Sequence, residues 1–262
     1  MGRTLAIGDI HGDLDALERL LINAPRLGAD DTIVFLGDYL DRGPHSAQVI
    51  ARVRALAASG PAKVVALRGN HEDAWLKVID QGWFEFIIVR GNGCLDTLRS
   101  FQGREPKVAT EGEGKGEGEA SLARDTPDSE DFAAMERGAF FPPDVVAWMR
   151  ELPYFYEDEH AIYVHAGIKR QGEGFPHPSQ TTPPSALLWL RDRDFFVNYR
   201  GKLVVFGHTV TKSLPPELST FTPEDPADLW AGPACAGLDT GCGKGGFLTG
   251  LLLPERLVYE SR

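Results

Sequence analysis

The chain has 262 residues, 42% of them hydrophobic, so it is long enough to bury a sizeable core without disulfide or metal staples. Its formal net charge of −11 argues against a general binder of nucleic acid or anionic membranes, because such partners select basic surfaces. The three cysteines (Cys94, Cys235 and Cys242) include no CxxC pair and are predicted to be reduced thiols. No leader precedes the first predicted strand and no apolar run approaches membrane-spanning length, so we predict a soluble cytoplasmic protein.

Five short apolar runs, each followed by a glycine or a polar residue, predict strands that are covered on both faces. They are residues 5–7, 33–36, 64–67, 162–164 and 203–206. Helical patterns follow the first three runs, at residues 13–22, 46–58 and 72–79. In the first pattern, leucines recur at helical spacing behind Asp13, which is predicted to cap the helix. The chain is again strand-rich over residues 234–259, and the whole order predicts an α/β fold with strands inside and helices outside.

One segment, residues 102–131, departs from this pattern. It carries nine acidic and four basic side chains, and glycine alternates with charged residues at its centre. Such a composition cannot bury enough apolar surface to offset the entropy that ordering costs. We therefore predict a single domain over residues 1–262 with a flexible acidic, glycine-rich insertion at about 102–131. A substrate lid is the alternative interpretation of this insertion.

Residues 241–246 form a second glycine-rich segment, GCGKGG, which carries one lysine. It lacks the spacing of a phosphate-binding P-loop and the serine or threonine that completes one. We therefore predict a hairpin turn between two late strands.

Side chains that bind metals follow all five predicted strands. They are Asp9, His11, Asp38, Asn70, His165 and His208. Residues two apart in extended chain point the same way, so Asp9 and His11 can reach one ion together. Each residue taken alone has an ordinary explanation, such as a helix cap, but their shared placement after strands does not. The sequence therefore predicts a metal site.

The motifs around these residues form a highly specific ordered set. They are GDIHG at 8–12, GDYLDRG at 37–43, LRGNHE at 67–72, HAG at 165–167 and GHT at 207–209. Over about residues 3–99 and 161–250, the chain resembles the PPP family of metallophosphoesterases, including its bacterial and phage-type protein phosphatases. The resemblance implies the calcineurin-like fold, a central β-sandwich flanked by helices.

The resemblance also implies a centre of two divalent ions that share a hydroxide nucleophile, with Asp38 as the bridging ligand. The implied ligands are Asp9 and His11 for the first ion, and Asn70, His165 and His208 for the second. Oxygen and imidazole ligands without thiolate suit Mn²⁺, Fe or Zn²⁺. Mn²⁺ is the metal that the resemblance favours.

Three arginines are implied to bind the phosphate. Arg42 and Arg68 would clamp its oxygens, since a planar guanidinium binds them in a bidentate manner. A third is expected between the HAG and GHT motifs, where Arg191 is the first choice and Arg193 the second. The alternative for this last pair is a solvated helix charge.

His71 is predicted to act as the general acid, with Asp41 orienting its imidazole. Adjacent side chains in extended chain diverge, so Asn70 can face the ions while its neighbour faces the leaving group. Glu72 and Asp73 are interpreted as stabilising the N-terminus of the following helix.

The resemblance implies a phosphomonoesterase that acts on phosphoserine and phosphothreonine in proteins, with phosphotyrosine as a further option. Phosphoprotein or phosphopeptide is thus the expected partner, with no nucleic acid and no membrane, and the oligomeric state is left open. A dinucleoside polyphosphate hydrolase of the same family is the alternative; its symmetrical bacterial form typically differs at the positions of Asp41, Arg68, Glu72 and Thr209. An inactive binding scaffold is disfavoured, because the residues implied in catalysis are intact.

Overall fold

In the computed structural model, which describes residues 2–104, 127–219 and 228–262, ten strands form two five-stranded sheets. The strands are β1 Thr4–Ile7, β2 Thr32–Phe35, β3 Lys63–Ala66, β4 Phe155–Glu157, β5 Ile162–Val164, β6 Val204–Phe206, β7 Trp230–Ala231, β8 Cys235–Gly237, β9 Thr249–Leu253 and β10 Leu257–Glu260. The first sheet has the strand order β10-β9-β1-β2-β3, and the second has the order β4-β5-β6-β8-β7.

Each sheet contains three adjacent parallel strands. In the first sheet β1, β2 and β3 run parallel, with Ile7 opposite Phe35 and Phe35 opposite Ala66. In the second sheet β5, β6 and β8 run parallel, and Phe206 lies opposite Gly237. The carboxyl ends of parallel strands lie at one edge of a sheet, so each sheet delivers the loops after its three strands to a common edge.

Helices follow each of the first three strands, and further helices lie between β3 and β4 and before β6. They are α1 Leu14–Asn23, α2 Ser46–Ser59, α3 Asn70–Gln81, α4 Phe84–Ile88, α5 Cys94–Gln102, α6 Ser129–Arg137, α7 Pro143–Glu151 and α8 Arg193–Asn198. Asp13 caps α1 as predicted, because its side chain accepts a hydrogen bond from the Ala16 amide at 2.9 Å. The helix predicted over 72–79 begins earlier, at Asn70.

The core has three parts, one between the sheets and one on the outer face of each. Between the sheets, small and aliphatic residues of β1, β2 and β9 face residues of β5, β6 and β8, with Ala6, Val34 and Val205 fully buried. The outer face of the first sheet packs against α1, α2, α3, α5 and α7. Phe195 and Phe196 of α8 cover the second sheet. These layers confirm the predicted α/β fold with a central β-sandwich flanked by helices.

Two predicted segments differ from their description in the sequence analysis. Residues 105–126 of the proposed insertion lie outside the described residues, whereas residues 129–131 begin α6, capped by Asp128. Residues 241–246 are not a hairpin, because the flanking strands β8 and β9 belong to different sheets. The segment is a crossover turn, with positive φ angles at three of its glycines. Among the described residues, no helix is long and apolar enough to cross a membrane; the cytoplasmic location and the single domain stay predictions.

Candidate active site

The structure brings together all six side chains predicted as metal ligands, at the carboxyl ends of the parallel strands. Asn70 Oδ1 lies 2.8 Å from His165 Nε2 and 2.7 Å from His208 Nδ1. We call these three residues the first donor group, and Asp9 with His11 the second donor group. Asp38 lies between the two, with Oδ1 3.5 Å from His165 Nε2 and Oδ2 3.4 Å from His11 Nε2. Asp9 Oδ2 is 3.9 Å from the same nitrogen of His11. One carboxylate oxygen of Asp38 thus faces each donor group, as a bridging ligand requires.

The backbone of this site is strained. Within the described chain, six residues other than glycine have positive φ angles, and five of them belong to the site. They are His11, Asp38, Asp41, Arg42 and His208. Conformations of this kind cost roughly 1–3 kcal/mol each and persist only where surrounding structure enforces them. Gly207 contributes to this crowding, because a Cβ at that position would collide with the Asp9 carboxylate.

The protonation of the imidazoles fits a bound cation. His165 Nδ1 lies 2.8 Å from the Leu36 carbonyl, so it donates its N–H there. Burial lowers the pKa of His165, and the neutral ring therefore has a lone pair at Nε2. That lone pair faces the Asn70 oxygen, another acceptor, at 2.8 Å. Two acceptors at this distance repel each other unless a cation lies between them, so the donor set suits a metal ion.

The carboxylate of Asp9 also indicates a metal site. Burial and the neighbouring carboxylates of Asp239 and Asp38 raise the pKa of Asp9 well above its usual value. His11, the imidazole beside Asp9, donates from Nδ1 to the Leu40 carbonyl at 3.0 Å, and burial lowers its pKa too. The Arg42 guanidinium contacts His11 Nε2 in this structure. The buried carboxylate and the neutral imidazole of the second donor group nevertheless also suit a divalent ion.

His71 forms a buried pair with Asp41 beside the two donor groups. Its Nδ1 lies 2.6 Å from Asp41 Oδ2, and its Nε2 lies 3.9 Å from Asp38 Oδ2. Asp41 is also fixed on its other side, because Trp75 Nε1 and Thr97 Oγ1 donate to its Oδ1 at 3.0 and 2.6 Å. The imidazole is thereby held with one nitrogen toward Asp41 and the other toward the reaction site, as the predicted general acid requires.

A cavity of about 340 Å³ opens above these groups. Asp38, Asn70, His71 and His208 contribute to its lining, together with the aromatic residues Trp83, Phe86 and Trp189. Arg42 and Arg191 line it as well, which brings two of the predicted phosphate-binding arginines to the donor groups. Arg193, the second choice for the third arginine, is instead paired with Glu217 at 2.5 Å on the surface.

Residues 2–212 match the family model for calcineurin-like phosphoesterases, which covers the donor groups of both sheets. The chain belongs to the calcineurin-like phosphoesterase family. Members of this family use dinuclear metal centres, for which the donor groups of this chain are suited.

The curated relatives of this phosphoesterase include two kinds of enzyme. Serine/threonine-protein phosphatase PP1-1 of Saccharomyces cerevisiae is 37% identical over 78 residues, 30% of this chain and 25% of that protein. Serine/threonine-protein phosphatase SIT4 of Candida albicans is 36% identical over 86 residues, 32% of this chain and 27% of that protein. The symmetrical bis(5'-nucleosyl)-tetraphosphatase of Dechloromonas aromatica is 29% identical over 168 residues, 64% of this chain and 45% of that protein. The chain thus spans a quarter to less than half of the length of these relatives.

Solved structures share the fold of this phosphoesterase. One, provisionally described as a diadenosine tetraphosphatase, has a TM-score of 0.57 at 20% identity and covers 99% of this chain and 92% of its own. A mutant cold-active protein tyrosine phosphatase has a TM-score of 0.52 at 16% identity and covers 99% of this chain and 77% of its own. Identities this low establish the fold alone.

Arg68, unlike Arg42 and Arg191, is not part of the lining of the cavity above the donor groups. Its Nη1 donates to the Tyr154 hydroxyl at 2.8 Å, and its Nη2 donates to the Arg150 carbonyl at 2.6 Å. The guanidinium also lies over the Tyr154 ring, 4.7 Å from the centroid. A nearly buried cation needs partners, and these partners fix it between β3 and the segment that follows α7. These contacts give Arg68 a structural role, and its predicted binding of the phosphate stays a prediction.

Three residues of the phosphoesterase site were missed or interpreted differently in the sequence analysis. Glu72 accepts hydrogen bonds from the amides of Asp38, Tyr39 and Gly69 at 3.0, 2.9 and 2.8 Å. It therefore ties the loops after β2 and β3 together besides capping α3. Trp75 holds Asp41 through its indole N–H, and its position four residues after His71 on one helix was the available signal. Thr97 lies outside every motif, and nothing in the sequence pointed to it.

Proposed function

We propose that this phosphoesterase hydrolyses phosphomonoesters in proteins, with phosphoserine and phosphothreonine as the first substrates and phosphotyrosine as the further option. The observation that carries the proposal is the buried pair of His71 and Asp41, 2.6 Å apart, beside the donor groups. Such a pair is suited to give a proton to a leaving group.

The chain's own residues suit the other steps of phosphomonoester hydrolysis. When bound, two divalent ions supply the nucleophile and the Lewis acidity for phosphoester cleavage, and we propose Mn²⁺, with Fe or Zn²⁺ as alternatives. Arg42 and Arg191 would bind the phosphoryl oxygens through charge-assisted hydrogen bonds. His71 would then protonate the departing oxygen, while Asp41 stabilises the charged imidazole.

The nature of the leaving group favours alkyl phosphomonoesters. A serine or threonine alkoxide is strongly basic and needs a proton to depart. A nucleoside phosphate leaves as the anion of a much stronger acid and needs none. A site that keeps a braced general acid is therefore better suited to phosphoserine and phosphothreonine than to a dinucleotide.

The hydrolysis of dinucleoside polyphosphates is the second candidate. The relative that carries this activity in its name aligns with 64% of this chain, against 30% and 32% for the two protein phosphatases. The aromatic lining of the cavity, Trp83 with Trp189, would also accept a nucleobase by stacking.

One panel of substrates separates the two candidates. Phosphoserine, phosphothreonine and phosphotyrosine peptides are compared with diadenosine tetraphosphate, each at saturating Mn²⁺, and kcat/KM is measured for each. We expect the best phosphopeptide to exceed the dinucleotide by at least about tenfold, the equivalent of 1.4 kcal/mol in transition-state binding. A dinucleotide preferred over every peptide would contradict the proposal.

A further inference from the structure

A second and larger cavity, of about 810 Å³, adjoins the candidate active site. Arg42 and Val89 line both cavities, so the two spaces meet at the arginine proposed to bind the phosphoryl group. We call this second space the outer cavity, and nothing in the proposed hydrolysis uses it. A substrate larger than a phosphoryl group would extend into it.

The outer cavity is cationic in an acidic protein. The chain carries a net charge of −11, yet the described lining of this cavity includes the cations Arg42, Arg90 and Lys244. Lys244 also contacts the buried Asp239 at 3.3 Å, which offsets part of its charge. Arg90 is exposed and, among the described residues, has no ion-pair partner in the structure.

The glycine-rich turn at 241–246 brings Lys244 to this wall. Its glycines 241, 243 and 245 have φ angles of 85°, 71° and 84°, which residues other than glycine rarely adopt. A Cβ at Gly243 would also collide with His11, so the turn lies directly against the donor groups. The turn therefore presents a cation beside the reaction site rather than closing a hairpin.

The remaining wall is apolar. Ile88 and Val89 of the α4 end are exposed by 47% and 52%, and Leu95, Phe132 and Met135 lie in the same lining. Cations above an apolar wall complement a ligand that carries anionic groups beside aliphatic ones.

Building on the proposed function, we propose that the outer cavity is a substrate subsite for acidic side chains, those of aspartate or glutamate, that flank the phosphorylated residue of a peptide. Arg90 binds such a carboxylate, and Lys244 contributes to the field that attracts it. The subsite selects acidic phosphopeptides by charge, and Arg42 lies at its junction with the phosphoryl group.

Phosphothreonine peptides that differ only in their flanks test this subsite. One set carries aspartates on the N-terminal or the C-terminal side of the phosphothreonine, and the matched set carries asparagines at the same positions. At low ionic strength we expect kcat/KM of the better aspartate peptide to exceed that of its asparagine partner by about fivefold, as two exposed ion pairs would give. The preference should disappear in 0.5 M KCl, because salt screens exposed charges.

Three variants assign the preference to its residue. Arg90→Gln should lower the aspartate-to-asparagine ratio to about twofold or less, while Arg90→Lys should keep most of it. Arg26→Gln is the matched control, since Arg26 is an exposed cation that lines a different cavity near the end of α1. A wild-type enzyme without the preference, or an Arg90→Gln variant that keeps it, would overturn the proposal.

Two further outcomes separate this proposal from the proposed function. If p-nitrophenyl phosphate is hydrolysed but no phosphopeptide is, the proposed function fails and the subsite fails with it. If Arg90→Gln lowers kcat/KM only for diadenosine tetraphosphate, the outer cavity accepts a nucleotide, and the assignment to acidic peptides is overturned.

Discussion

His71 is the residue whose proposed role has the clearest kinetic signature. Replacement by asparagine removes the acid but no proposed metal ligand. We expect kcat on a phosphoserine peptide to fall by about 10²–10⁴, the usual range for general acid catalysis. On p-nitrophenyl phosphate the fall should be clearly smaller, because nitrophenolate departs without a proton. Equal losses on the two substrates, with bound metal retained on direct assay, would exclude the acid role.

Thr97 provides a finer test of the same pair. Its hydroxyl donates to Asp41 Oδ1 at 2.6 Å and accepts from the Asp41 amide at 2.8 Å, so it holds the carboxylate that holds His71. Thr97→Val should lower kcat on the phosphoserine peptide by about tenfold, for the loss of one charge-assisted hydrogen bond. The effect on p-nitrophenyl phosphate should again be smaller, and Thr97→Ser should retain most of the wild-type rate.

Those comparisons separate positioning from a general loss of structure. If the role of Thr97 were merely structural, Thr97→Val would lower kcat on both substrates equally and would also lower the thermal stability. Finding that pattern, with Thr97→Ser as impaired as Thr97→Val, would contradict the expectation.

At the scale of elements, Arg68 is predicted to matter for the junction between β3 and α7 rather than for the phosphate. Arg68→Met keeps the length of the side chain but leaves the Tyr154 hydroxyl and the Arg150 carbonyl without their donor. Unfolding by urea should show a loss of about 1–3 kcal/mol, the range for unpaired buried polar groups.

The matched comparison is with the two arginines at the cavity. Arg42→Ala and Arg191→Ala should lower kcat/KM by about 10²-fold or more, as the loss of a preorganised donor does, while Arg193→Ala should be mild. A fall of similar size in Arg68→Met, without a loss of stability, would restore the phosphate-binding role to that residue.

The elements also explain which parts of the site could be predicted. The six proposed ligands were recognisable because each follows a strand, and parallel strands bring their carboxyl ends to one edge. The contacts of Arg68 were not, because its partners lie 86 and 82 residues further along the chain. The extended alternation invoked for Asn70 and His71 was wrong, because α3 begins at Asn70 and both residues are helical. The hairpin at 241–246 was predicted wrongly because sequence proximity of β8 and β9 does not reveal that they enter different sheets. Thr97 reaches Asp41 only through the packing of α5, a contact 56 residues apart that no local pattern encodes.

For the whole molecule, the uncompensated charge of the donor groups predicts how stability depends on pH without metal. Burial and the charge of Asp38 raise the pKa of Glu72 to about 8, and the pKa of Asp9 is raised in the same direction. The folded apoprotein therefore holds protons that the unfolded chain has released, and this contribution to stability is lost as pH rises toward 8. The buried imidazoles of His11, His165 and His208 act oppositely, and their effect fades over the pH unit above 6.5, the pKa of unfolded histidine.

Between pH 6.5 and pH 8 the carboxyl groups therefore decide the sign. With EDTA present, the free energy of unfolding should fall by about 1 kcal/mol over this interval. Each raised carboxyl pKa contributes a loss of up to 1.36 kcal/mol per pH unit, and the three imidazoles offset part of it. Mn²⁺ should stabilise the protein at both pH values, by about 2.7 kcal/mol at a hundredfold excess over its dissociation constant. Because ligands bind metal in their deprotonated forms, this gain should be larger at pH 8.

Urea unfolding at the two pH values measures both effects. Glu72→Gln is the control, since the amide cannot titrate and should flatten the slope of the apoprotein's unfolding free energy against pH. An apoprotein that is more stable at pH 8 than at pH 6.5, or a Glu72→Gln variant with an unchanged slope, would show that the buried carboxyl groups are not the origin of the dependence.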